Sequence, residues 1–156
     1  MRVTIIADAS FCPDTNVAGY GYWIASERGK QGGGGEMKCR VEGNIAAEMQ
    51  AVVNALYIAT RLQLVQPDDE VLVQTDCMAA IDAFDGKRRN LPAQEWEAVR
   101  VLRRLRSDHS LRLVFRHVKG HTGKKEARFV TNHLCDKRAK EAMRRARARV
   151  QLGEMQ

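Results

Sequence analysis

At 156 residues the chain has the length of one compact domain with a sizeable core, and 44% hydrophobic with 29% charged residues is a globular composition. No apolar run approaches the roughly 18 residues of a membrane span, which argues against a membrane role and for a soluble protein. Twenty-six Lys and Arg against 19 Asp and Glu give a formal charge of +7, a balance that draws polyanions by counterion release. Nucleic acid is therefore the leading partner class, with ordinary solvated charge as the competing explanation until local chemistry is found beside it. The opening segment MRVTIIADAS lacks the layout of a signal peptide. Cys12, Cys39, Cys77 and Cys135 are scattered without a C-x-x-C pair, which suits reduced thiols. A single cytoplasmic domain over 1–156 is the expectation.

In chain order, Arg2 to Asp8 (RVTIIAD) is an apolar run ending in an acid, and Ala18 to Ser26 (AGYGYWIAS) is a second strand candidate. The stretch RGKQGGGGE reads as a glycine-rich hairpin turn before a third strand over Met37 to Glu42. A domain linker is disfavoured, because only about 30 residues precede the glycines, too few for an independent core. From Asn44, a plausible N-cap, the residues Ile45, Met49, Val52, Leu56 and Ala59 recur at helical steps. Pro67 and the acidic turn PDDE introduce Val71 to Asp76 (VLVQTD), again a strand ending in aspartate, and then a short helix, CMAAIDAF. The pattern predicts a helix over Ala93 to Arg106, a strand over Leu111 to Val118, and a long basic helix from Asn132 or His133 to about Val150.

Asp8 and Asp76 each close an apolar strand, at the carboxyl ends where open α/β sheets build their sites. Glu48 lies on the apolar stripe of its helix, and Asp136 shares a face with Ala139, Met143 and Val150 in the last helix. Burying a carboxylate is costly unless it is compensated. Four such acids together would repel one another without cations, and hard oxygen ligands suit Mg²⁺ or Mn²⁺ better than zinc. Taken singly, Asp8 and Asp76 are better explained as turn or capping residues and Glu48 as the partner of an arginine. Taken together they point to a metal centre.

These residues fall within D-A-S at 8–10, N-I-A-A-E at 44–48, T-D at 75–76, H-V-K-G-H-T-G at 117–123 and N-H-L-C-D at 132–136. The set resembles type 1 ribonuclease H over nearly the whole chain, most specifically in H-V-K-G-H-x-G followed by N-x-x-x-D. The resemblance implies an α/β ribonuclease H-like fold: a mixed five-stranded sheet of order 3-2-1-4-5, strand 2 antiparallel, with helices on both faces. It implies an endonuclease that cuts the RNA strand of RNA/DNA hybrids at a site binding two Mg²⁺ ions, with Mn²⁺ as a possible substitute. Asp8, Glu48, Asp76 and Asp136 match the metal-binding carboxylates, and His121 matches the family's mobile histidine, assisting proton transfer or product release. Glu48 and the backbone at Ala9 and Ser10 match positions that read the 2′-hydroxyl, a group that both donates and accepts. Asn16, Asn44 and Asn132 are further substrate-binding candidates, Asn16 by its loop alone. A monomer is expected.

The chain also departs from the family pattern. D-A-S replaces the commoner D-G-S, and a tryptophan-containing basic protrusion found in some members is missing, leaving K-R-R at 87–89 and the arginines of the 93–106 helix for the DNA strand. The 15 positions from His121 to Asp136 make a long, cationic loop. A zinc site on His117, His121, His133 and Cys135 is the weaker alternative, because residues two apart on a helix face different ways. A non-cutting hybrid-binding module and a DNA nuclease of related fold remain as other function classes.

Overall fold

The structure, a computed structural model, describes residues 1–118 and 127–155; for 127–129, 154 and 155 it describes the backbone alone. The strands are β1 (Arg2–Cys12), β2 (Val17–Ser26), β3 (Gly29–Glu36), β4 (Glu70–Thr75) and β5 (Arg112–His117). The helices are α1 (Asn44–Arg61), α2 (Met78–Phe84), α3 (Ala93–Asp108) and α4 (Ala127–Met155). The five strands form one sheet in the order β3-β2-β1-β4-β5, as the resemblance implies. β2 runs antiparallel to both β1 and β3, whereas β1, β4 and β5 are parallel. No helix among the described residues is long and apolar enough to cross a membrane.

One face of the sheet carries the main core. Val3, Ile5, Ile24, Val71 and Val73 pack with Met49, Val52 and Leu56 of α1 and with Val99 and Leu102 of α3. Each such side chain contributes about 1.5–3 kcal/mol relative to exposure. The other face is covered by α4, whose small buried residues Cys135, Ala139 and Ala142 let the helix lie close to β2. β2 answers with glycines: a methyl at Gly19 would overlap the Ala139 carbonyl, and one at Gly21 the Cys135 carbonyl.

The glycine-rich stretch corrects the sequence reading. Gly29–Glu36 is itself the third strand, and Met37 to Glu42 is the loop after it. Glycine is ordinarily a poor strand former, but here the neighbouring strand supplies the missing bulk. Gly32, Gly33 and Gly35 stand opposite Trp23, Tyr22 and Tyr20. A Cβ at Gly33 would come 2.7 Å from the Tyr22 hydroxyl, and one at Gly34 would come 2.5 Å from the Tyr20 carbonyl.

Other boundaries also move. β1 continues past Asp8 to Cys12, because its outer half stays paired with β2 from Asp8↔Gly21 to Cys12↔Val17. α4 begins at Ala127, ahead of the expected 132 or 133. At α1 the cap position is Gly43, and Asn44 is the first helical residue, so the expected Asn44 cap is not formed.

At the end of β4 opposite Asp76, Asp69 accepts from Arg28 Nη1 at 2.6 Å and from the backbone N–H of Gln66 at 2.8 Å. The N-terminal amine lies 3.4 Å away. Arg28 holds the Asp69 carboxyl down at about 2. In the sequence, Asp69 is marked only as part of the acidic turn PDDE.

Candidate active site

Pairing between β1 and β4 ends at Ile6↔Gln74. Asp8 and Asp76 each stand two residues beyond that point, where the two parallel strands part at their carboxyl ends. Asp8 remains on β1, held by β2 at Gly21, and its Oδ1 accepts the Ala9 backbone N–H at 3.0 Å. Asp76 follows β4 directly. Its turn is shaped by Thr75, whose Oγ1 accepts the Cys77 N–H at 3.2 Å, and its carbonyl lies 3.1 Å from His117 Nε2. Glu48 arrives from the other side, one turn into α1, and is 6% exposed.

Asp8, Glu48 and Asp76 each present an oxygen within 4.8 Å of the others. Asp136 reaches the group from α4, where it lies against Asp8 and makes an ion pair with Lys140 at 3.0 Å. Three of the four expected acids thus form a tight set, and the fourth adjoins it with one oxygen engaged by a lysine.

The electrostatics follow from burial. Loss of water raises the Asp8 carboxyl to about 8, reinforced by Asp76 and Asp136. Burial raises Glu48 further, to about 10, with Asp8 and Asp76 adding repulsion. Such a set does not ionise together unless positive charge joins it. Among the described residues Glu48 Oε2 is buried without a hydrogen-bond partner, on a side chain whose carboxylate belongs to the set with Asp8 and Asp76. A hard divalent cation fits that donor set.

The substrate candidates lie on β1, the β1–β2 turn, α1 and α4. Ala9 is buried, with its N–H turned to Asp8, and Ser10 is half-buried opposite Gly19. Asn16 is exposed in the β1–β2 turn with a left-handed backbone (φ 57°), and its carbonyl accepts the Val41 N–H at 2.8 Å. Asn44 is exposed at the start of α1, one turn before Glu48, and Asn132 is half-buried in α4. His121 lies outside the described residues. His133 is exposed, whereas Cys135 is fully buried with its Sγ 4.0 Å from the Ile6 carbonyl. Among the described residues, His117, His133 and Cys135 do not form a group close enough to share a metal.

Two contacts go beyond the expectations from sequence. Arg88 donates to the Ala79 carbonyl at 3.0 Å and pairs with Glu95, folding the 86–92 segment back to the first turn of α2. Lys140 could have been found as the residue four positions after Asp136 on a helix. Arg88 is expected from sequence only as part of K-R-R at 87–89, and nothing there marks its contacts with Ala79 and Glu95.

The RNase H family model matches residues 1–144. No curated protein sequence matches the chain. Among solved structures, the fold is similar to RNase H1 of the halophilic archaeon Halobacterium salinarum NRC-1, with a TM-score of 0.71 and 20% identity over 91% of this chain and 97% of that one. It is similar to the N-terminal RNase H domain of rv2228c from Mycobacterium tuberculosis, with a TM-score of 0.70 and 18% identity over 96% and 98%. LC11-RNase H1, solved in complex with an RNA/DNA hybrid, gives a TM-score of 0.69 and 21% identity over 92% and 98%.

Proposed function

This chain belongs to the RNase H family, and on that premise we propose that it is an endonuclease that hydrolyses the RNA strand of RNA/DNA hybrids. The observation that carries the reading is the convergence of Asp8, Glu48 and Asp76 within 4.8 Å from three separate elements. Asp136 completes the set. These four residues would hold two divalent ions, Mg²⁺ or Mn²⁺. The chemistry that such ions supply is activation of a water molecule and neutralisation of the leaving 3′ oxygen, which leaves 5′-phosphate and 3′-hydroxyl ends.

The protein's own groups set up that chemistry. The Ala9 N–H fixes one Asp8 oxygen, and the His117 contact braces the backbone at Asp76. Lys140 holds Asp136 from the next turn of α4. Ser10, Asn16, Asn44 and Asn132 are the proposed substrate contacts, with Ala9 contributing backbone and His121 serving proton transfer or product release. The +7 charge supplies non-specific attraction to the phosphates. The proposal extends to a cytoplasmic monomer in which residues 1–156 form one domain.

The test is a cleavage assay on a labelled RNA/DNA hybrid beside matched RNA and DNA duplexes, with Mg²⁺ or EDTA, for wild type and Asp76→Asn. The expected outcome is Mg²⁺-dependent cutting of the RNA strand of the hybrid alone, with at least a roughly hundredfold loss in the variant. Binding without cutting would make the protein a hybrid-binding module, and cutting of duplex DNA would make it a different nuclease.

A further inference from the structure

Between the loop after β3 and the outer face of α1 lies a cavity of about 490 Å³, within the range of small-molecule sites. Gln50, Asn54 and Tyr57 line it at the three- and four-residue steps of one helical face. Glu48 lies about 200° around the helix from Gln50, so this place is distinct from the carboxylate cluster.

The wall formed by α1 carries a locked amide pair, in which Gln50 Nε2 donates to Asn54 Oδ1 at 3.0 Å. The bond leaves an amide oxygen on Gln50 and an N–H on Asn54 without partners among the described residues. Exchanging oxygen and nitrogen across both amides still leaves one acceptor and one donor side by side. Gln94, also on the cavity wall, accepts from the Glu42 N–H at 2.8 Å and donates to the Arg40 carbonyl at 3.0 Å. Those two bonds hold the opposite wall, the 37–42 loop, in place. Lys38 and Arg40 on that loop and Tyr20 on β2 also line it, as do the carboxylates of Glu36 and Glu97, which are paired with Arg149 and Arg100, and Tyr57 is 51% exposed.

Each feature matches one part of a nucleotide. An adjacent amide donor and acceptor suit the edge of a base, adenine above all. A tyrosine ring suits its face, and a lysine suits phosphate. An i, i+4 Gln–Asn pair used only to support a helix would contribute a few tenths of a kcal/mol, and would need neither an aromatic ring nor a cation beside it. We propose that this cavity is a nucleotide-binding site in which Gln50 and Asn54 read the base edge, a tyrosine stacks on the base and Lys38 meets the phosphate. The occupant is a free adenine nucleotide or an unpaired nucleotide at a strand end.

Full-length protein is titrated with adenosine monophosphate, with the other mononucleotides and with inorganic phosphate, following the side-chain amide signals of Gln50 and Asn54 by NMR. Adenosine monophosphate is expected to move both signals, and Asn54→Leu and Tyr57→Ala each to weaken binding about tenfold or more. Both variants should cut a blunt hybrid at the wild-type rate if the chain is a hybrid nuclease. A hybrid with a short unpaired adenine overhang, titrated in Ca²⁺ beside its blunt counterpart, separates the sources. Amide shifts that need the overhang assign a strand end, and shifts with the mononucleotide alone assign a free ligand. The proposal is overturned if no nucleotide moves the amides of the folded protein, if phosphate alone reproduces every shift, or if both variants bind like wild type.

Discussion

Asp8 and Glu48 place two titratable groups in largely buried positions, and their raised ionisation has a direct consequence for stability. Both groups titrate higher in the folded chain, at about 8 and about 10, than their ordinary values of 3.8 and 4.5. A group raised in this way contributes stability that is fully present below its unfolded value and is lost as pH rises through its folded value. The melting temperature of the metal-free protein should therefore fall between about pH 5 and pH 9, beyond what other groups impose. Asp8→Asn keeps the shape and removes one of the repelling charges. In EDTA near pH 8 it is expected to be more stable than wild type by about 1–3 kcal/mol. Mg²⁺ should raise the melting temperature of wild type more than that of the variant. Parallel melting curves for the two proteins across pH would show that the carboxylates are not in electrostatic conflict.

At the scale of elements, the contact between β2 and α4 has the least room. Gly21 faces the Cys135 carbonyl and Gly19 faces the backbone of Ala139 and Met143, so added bulk meets main chain, which cannot rotate aside. Gly21→Ala should lower stability by about 1–3 kcal/mol, the usual cost of overpacking, and should disturb Asp136 through its neighbour Cys135. Chemical denaturation and the Mg²⁺-induced rise in melting temperature would check both effects. An unchanged midpoint would mean that α4 can move outward.

The two elements differ in how readable they were. α1 was legible because its apolar stripe repeats at the helical period, and Glu48 stood out as a charge on that stripe. β3 was illegible because its pattern resides in the partner strand: four glycines show no alternation, and only Tyr20, Tyr22 and Trp23 on β2 make them a strand. The first turn of α4 was hidden in a cationic segment that reads as loop.

For the whole molecule, the acids meet because β1 and β4 are parallel neighbours that part just before Asp8 and Asp76, while α1 and α4 bring the others from opposite faces. That convergence was legible from residue identity and order, since charge in apolar surroundings is expensive wherever it occurs. The pairings that brace it were not, because His117 against the Asp76 carbonyl and Arg88 against Ala79 depend on distances across 41 and 9 residues of chain. The amide bonds of Gln94 span 52 and 54 residues and are equally invisible in sequence.

The glycine strand also bears on the order in which the molecule comes apart. β3 sits at the sheet's edge and brings no apolar side chain of its own, so its place depends on rings that belong to β2. Opening it exposes little apolar surface of its own, whereas opening β1 or β4 dismantles the core. Amide hydrogens of Gly32 to Gly35 should exchange with solvent far sooner than those of Ile5 or Val73, through a local opening that leaves the carboxylate cluster intact. Equal protection of both sets would mean that the edge and the centre of this sheet unfold as one unit.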